Sequence, residues 1–68
     1  MYAIVAGGGK VGFYLAKELA ERGEEVLVIE KDPKRCNYIA EELGTVVLNG
    51  DAAEASVLAE AGASRADV

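Results

Sequence analysis

The sequence predicts an α/β fold, a parallel three-stranded sheet built by the alternation β-α-β-α-β-α. Three observations predict it. Short apolar runs alternate with longer segments whose apolar residues recur every three or four positions. The run Val26-Leu27-Val28-Ile29 shows no polar alternation, the mark of a strand covered on both faces by crossover helices. Glycine follows each periodic segment, at Gly23, Gly44 and Gly62, where a left-handed residue ends a helix. Such an order implies parallel strands joined by right-handed crossovers, in the spatial order 3-2-1.

Each element follows in turn. Tyr2 to Ala6 reads as a buried strand, bounded by glycine. Lys10 to Arg22 reads as a helix, with Val11, Leu15 and Leu19 every four residues and Ala16 and Ala20 beside them. Glu25 to Glu30 is the second strand. Asp32 caps the second helix and Pro33 takes its first position, where a missing N–H costs nothing. Cys36, Ile39, Ala40 and Leu43 give that helix an apolar stripe. Thr45 to Leu48 is the third strand and Asn49-Gly50 the turn after it. Asp51 is expected to cap the third helix, with Glu54 as its capping-box partner, and Val57, Leu58 and Ala61 form its apolar side. The closing "ADV" reads as the approach to a fourth strand.

Composition narrows the function. The chain has 68 residues, room for one small domain, and a net charge of −5. An acidic chain lacks the basic face that nucleic-acid binding needs. There is no histidine and one cysteine, Cys36, so a Cys/His zinc site, a His-based triad and an internal disulfide are excluded. No apolar run approaches the roughly 20 residues of a membrane span. A cytoplasmic protein without direct membrane insertion is expected.

The stretch "IVAGGGKVGFYLA" carries the chemistry. Gly7, Gly9 and Gly12 form G-x-G-x-x-G, a weak pattern alone but a stronger one after a strand and at the start of a helix. In the Rossmann-like arrangement Gly7 permits the turn, Gly9 lets a diphosphate approach the backbone and Gly12 lets the helix pack on the sheet. Gly8, Lys10 and Val11 complete the loop, whose N–H groups face the anion. Glu30 follows Gly12 by 18 residues and ends the second strand, where a carboxylate accepts the hydroxyls of an adenosine ribose and disfavours a 2′-phosphate. Lys31 beside it pulls the other way. Asp51 and Ala52, in the loop after the third strand, are expected on the adenosine side, although a plain helix cap explains Asp51 equally well. The candidate cofactor is NAD(H) or ATP, ADP or AMP, with no metal.

The segments "AGGGKVG", "VIEKDPKRC" and "NGDA" together resemble the nucleotide-binding half of the RCK/KTN domain, of TrkA-N type, found in regulatory subunits of potassium uptake systems and in gating domains of some potassium channels. The resemblance spans nearly the whole chain. It implies a regulatory module, not an enzyme, that binds an adenine nucleotide and couples it to potassium flux through a membrane transporter or channel subunit. By position it assigns Gly7, Gly9 and Gly12 to the phosphates, Glu30 to the ribose, and Asp51 with Ala52 to the adenosine side. Glu30 stands where the family more often has aspartate.

A full fold of this kind has about six strands in the order 3-2-1-4-5-6. Residues 1–68 supply three, so the chain reads as the N-terminal part of such a domain, lacking strands 4–6. The first strand, Tyr2-Ala6, is then an open apolar edge expected to recruit a second copy. The alternative function is the cofactor-binding half of an NAD-dependent dehydrogenase, and a half-site with no retained ligand affinity is a third possibility.

Overall fold

The computed structural model describes residues 1–7 and 9–67; Gly8 and Val68 lie outside the described residues. The elements are β1 (Tyr2–Ala6), α1 (Lys10–Glu21), β2 (Glu25–Glu30), α2 (Pro33–Leu43), β3 (Val46–Asn49) and α3 (Ala55–Ala61), followed by a 3-10 turn at Ala63–Arg65. The sheet is parallel throughout, in the order β1-β2-β3. Val5 lies opposite Val28 on β1 and β2, and Val28 opposite Val47 on β2 and β3. The predicted α/β alternation and strand order are both present.

Alternation along the strands sorts the core into two layers. Val5, Val26 and Val28 project to one face and form a cluster with Ala16 of α1 and Ile39 of α2; Phe13, Leu19, Leu43 and Val47 pack around it. Tyr2 and Ile29 belong to the other face, and both are buried. There the Tyr2 hydroxyl donates to the Ala61 carbonyl of α3. Ile4, Leu27 and Leu48 on that face stay half-buried, as Val47 does on the first, so both faces of the sheet are covered incompletely.

Several local expectations are corrected. β3 runs Val46–Asn49 rather than Thr45–Leu48, because Asn49 still pairs in register with Glu30. The capping box of α3 is absent: Glu54 itself is the N-cap and makes no side-chain cap bond. Asp51 instead accepts from the Ala53 N–H at 2.9 Å, and its carbonyl accepts from the Glu54 N–H at 3.0 Å. These bonds close a turn over Asp51–Glu54 and delay the helix. Arg22 is the C-cap of α1 rather than its last residue. The stripe on α1 also divides. Ala16 is fully buried, but Val11 is 83% and Leu15 49% exposed. Ala40 of α2 is exposed and Cys36 half-buried.

Val11 and Leu15 are exposed because α1 overhangs the free side of β1. With Ala3, Val5, Gly12 and Leu19 they line an apolar groove of about 600 Å³ along that edge. The start of β1 is bonded by the end of the described chain. The Asp67 N–H donates to the Tyr2 carbonyl at 2.8 Å, and the Tyr2 N–H donates to Asp67 Oδ2 at 2.8 Å. The Arg65 guanidinium lies 4.0 Å from the centre of the Tyr2 ring and 3.5 Å from Glu25 Oε2. The Met1 amino group pairs with Glu24 Oε2 at 2.8 Å, and that carboxylate raises its pKa above the usual 8.0.

Candidate functional site

Parallel pairing brings the C-terminal ends of all three strands to one edge of the sheet, so the loops after β1, β2 and β3 are neighbours. The Gly7 N–H donates to the Ile29 carbonyl at 2.7 Å and the Gly50 N–H to the Glu30 carbonyl at 2.9 Å, which ties the three loops together.

Gly7 has φ +92°, a left-handed conformation that redirects the chain off β1. Gly12, in the first turn of α1, faces back onto that turn. A Cβ there would collide with the Gly7 carbonyl oxygen and lie 3.4 Å from Val5 Cγ1. Gly9 is the opposite case: a Cβ on it would meet nothing within 4 Å. It is the N-cap of α1, its carbonyl accepts from the Phe13 N–H at 2.8 Å, and it has no side chain to cap the first turn. The N–H groups at the start of α1 therefore lack an internal cap and carry the positive end of a 12-residue helix. Open space in front of such a terminus fits an anion, and a side chain at Gly9 would fill that space. Gly8 lies outside the described residues.

Glu30 sits at the end of β2, half-buried. Its Oε2 accepts from the Asp32 N–H at 2.8 Å, while Asp32 Oδ1 accepts from the Lys34 N–H at 2.9 Å and caps α2. The relay fixes the Glu30 carboxylate at the mouth of the β2 turn. Asn49 contributes a brace that the sequence reading passed over as a turn residue. Its Nδ2 donates to the carbonyls of Glu30 at 3.0 Å and Lys31 at 2.8 Å.

Asp51 and Lys31 are turned towards each other, with Nζ 3.8 Å from Oδ2. The other Asp51 oxygen holds the Ala53 N–H. Ala52 is half-buried beside them. Lys10 and Val11 stand exposed on the first turn of α1.

Phe13, Tyr14, Arg35 and Tyr38, which sequence reasoning did not place at the site, lie between α1 and α2. Gly9, Lys10, Phe13 and Tyr14 on one side, with Arg35 and Tyr38 on the other, line a cleft of about 380 Å³ beside the glycine loop. Phe13 stacks on Tyr38 with ring centres 5.6 Å apart, and Arg35 lies 5.6 Å from the Tyr38 ring centre. Arg35 and Tyr38 are one turn apart on α2, and that spacing was the available signal. Which face of α2 meets α1 depends on the crossover. Among the described residues, no group of three or more His, Cys, Asp or Glu side chains could hold a metal ion, and no helix is long and apolar enough to cross a membrane.

Comparison with known proteins agrees with this architecture. A family model described as the TrkA-N domain matches residues 3–68. A "Trk system potassium uptake protein TrkA homolog" of Archaeoglobus fulgidus is 46% identical over 68 residues, all of this chain and 15% of that protein. A protein of the same description from Methanothermobacter thermautotrophicus is 40% identical over 68 residues, all of this chain and 32% of that protein. The "Trk system potassium uptake protein TrkA" of Azorhizobium caulinodans is 40% identical over 67 residues, 94% of this chain and 15% of that protein. The chain thus spans between about one seventh and one third of these relatives' lengths. With its parallel Rossmann-like sheet, its glycine turn and a match over nearly every residue, the chain belongs to the TrkA-N domain family.

Proposed function

We propose that this chain is the adenine-nucleotide-binding part of a regulator of potassium uptake, acting in the cytoplasm on a membrane potassium transporter or channel subunit. The observation that carries the reading is the gathering of the glycine loop and Glu30 at one sheet edge, with open space in front of Gly9. The start of α1 and Gly9 receive the diphosphate. Glu30, oriented by the Asp32 N–H, accepts the ribose hydroxyls. The Lys31–Asp51 pair supports NAD(H) over NADP(H), because Lys31 is directed at Asp51. Asp51 and Ala52 form the adenosine-side wall. Bound nucleotide would act by fitting one arrangement of the assembled regulator better than another, so shifting its population. The relatives' names favour this transport role over the dehydrogenase alternative.

The test is calorimetric titration of NADH, NAD, ATP, ADP and AMP. Adenine nucleotides are expected to bind without dependence on the nicotinamide. Glu30→Ala and Gly9→Val are expected to weaken them by about tenfold or more. Unchanged affinity in both variants would remove the site from this edge.

Association with a second copy through β1 belongs to the same proposal. Its support is the free edge from Ile4 to Ala6 and the exposed Val11 and Leu15 above it. Pairing of two first strands gives the order 3-2-1-1′-2′-3′ and sets two glycine loops either side of the axis.

A further inference from the structure

We infer that the outward face of the α1–α2 layer is a docking surface for a second copy of this chain, set antiparallel so that the basic start of each helix meets the acidic end of its counterpart. The inference is independent of the nucleotide reading and of pairing through β1.

Both helices pack on the sheet face that carries Val5, Val26 and Val28. Each follows one of the parallel strands, so the two helices run side by side in the same direction. On α1, Lys10, Tyr14, Lys17 and Glu21 are spaced four, three and four residues apart, and all are exposed. On α2, Lys34, Tyr38 and Glu42 recur every four residues, and all are exposed. Such spacing puts each set on one stripe of its helix. Each stripe opens on a cation, passes a tyrosine and ends on a carboxylate. Arg35 beside Lys34 and Glu41 beside Glu42 reinforce the two poles.

These charges oppose their own helices. Neither helix has an acidic residue in its first turn or a basic residue in its last, whereas the helix dipole favours acid at the start and base at the end. Nothing inside the chain compensates: among the described residues, Lys10, Lys34, Glu21 and Glu42 form no ion pair. A pattern that costs each helix alone, and repeats on two neighbours, fits an outside partner carrying the reversed pattern. A second copy carries it. Two face-to-face arrangements have two-fold symmetry. With helices parallel, α1 lies over α2 and like poles coincide. With helices antiparallel, α1 lies over α1 and α2 over α2, opposite poles coincide and the helix dipoles oppose. Glu42 of the second copy then faces Lys34, and Glu21 of the second copy faces Lys10. Tyr38, midway between Lys34 and Glu42, falls near the axis. Its ring is held by stacking on Phe13 with centres 5.6 Å apart, so it loses little freedom on contact.

Surface ion pairs are individually weak, so the contact is expected to have a Kd on the order of 0.1–1 mM. It fills where copies are held together at millimolar effective concentration. The experiment measures sedimentation and translational diffusion up to about 1 mM in a Leu15→Lys parent, which lacks the association through β1, so that the two contacts are read separately. Should Leu15→Lys disturb folding, Val11→Lys on the same edge takes its place. The parent is expected to dimerise. Lys34→Glu and Glu42→Lys, each added to it, are expected to weaken self-association by about tenfold or more. An equimolar mixture of the two variants is expected to return to within about threefold of the parent, because opposite charges face each other again at both ends of α2. Each variant installs the charge that its own helix dipole prefers, so each is expected to melt no lower than the parent. A parent that stays monomeric, single variants that associate as the parent does, or a mixture no tighter than its components overturns the inference. A single variant that melts below the parent overturns it too, by showing that these charges serve the lone chain.

Discussion

Gly9 and Gly12 are the same residue type three positions apart, under opposite demands. At Gly12 the missing side chain is required by the protein itself, because the Gly7 carbonyl occupies the space a Cβ would take. Backbone cannot yield as a flexible side chain can. Gly12→Ala is expected to destabilise the chain by about 1–3 kcal/mol, a fall in Tm of roughly 4–8 °C for each kcal/mol in a domain of this size. Gly9→Ala, at φ −67° with open space around it, is expected to change stability by about 0.5 kcal/mol at most, a shift of no more than roughly 2–4 °C in Tm. Equal melting temperatures for the two variants would contradict the geometry. The motif G-x-G-x-x-G announces three glycines; only the distances separate the one that packs from the one that faces solvent. Lys31 and Asp51 illustrate the same limit. Both were legible as site candidates from their neighbours in sequence, but their mutual pairing at 3.8 Å joins two loops 20 residues apart, and no local pattern encodes it.

Among the elements, β1, β2 and α2 follow their local signals closely. The Asp32-Pro33 start and the Gly44 stop of α2 are present, with Gly44 at φ +67°. Local capping chemistry suffices there because nothing competes with it. α3 is the exception. Asp51 and Glu54 have capping-box spacing, but Asp51 spends one oxygen on the Ala53 N–H and offers the other to Lys31. The helix then starts at Ala55 behind an N-cap with no side-chain bond. Glu54→Asp shortens the side chain to one that caps well, and is expected to stabilise the chain by about 1 kcal/mol, read as a rise of a few degrees in Tm. An unchanged or lowered Tm would show that this helix start is set by the Asp51 turn rather than by its cap. The α1 stripe teaches a complementary lesson. Its period of four was read correctly as amphipathic, yet Val11 and Leu15 do not share the environment of Ala16. Periodicity identifies an apolar face without saying which neighbour, inside the chain or beyond it, covers each part.

For the molecule as a whole, the open side of β1 is the surface through which association is proposed. The free edge, the exposed Val11 and Leu15 and the 600 Å³ groove form one continuous apolar surface, of a kind that monomeric proteins rarely leave uncovered. Sedimentation at micromolar concentration is expected to show a dimer, and Leu15→Lys is expected to shift the chain to monomer while retaining its far-ultraviolet circular dichroism. A wild type that sediments as a stable folded monomer would refute association through this strand. The glycine loop borders this groove through Gly7, Gly9, Lys10, Val11 and Gly12, whereas Glu30 does not line it, so Glu30 is expected to serve the proposed nucleotide in either state.

The hydrogen-bonded contact of Tyr2 with Asp67 has a practical consequence for labelling. It brings residues 65 positions apart together at the sheet margin opposite the glycine loop. The five residues of β1 separate the two margins, a span of about 17 Å at roughly 3.3 Å per residue. A fluorophore or surface tether fixed near residue 67 therefore approaches the domain from behind. It leaves the Gly9 opening facing solution.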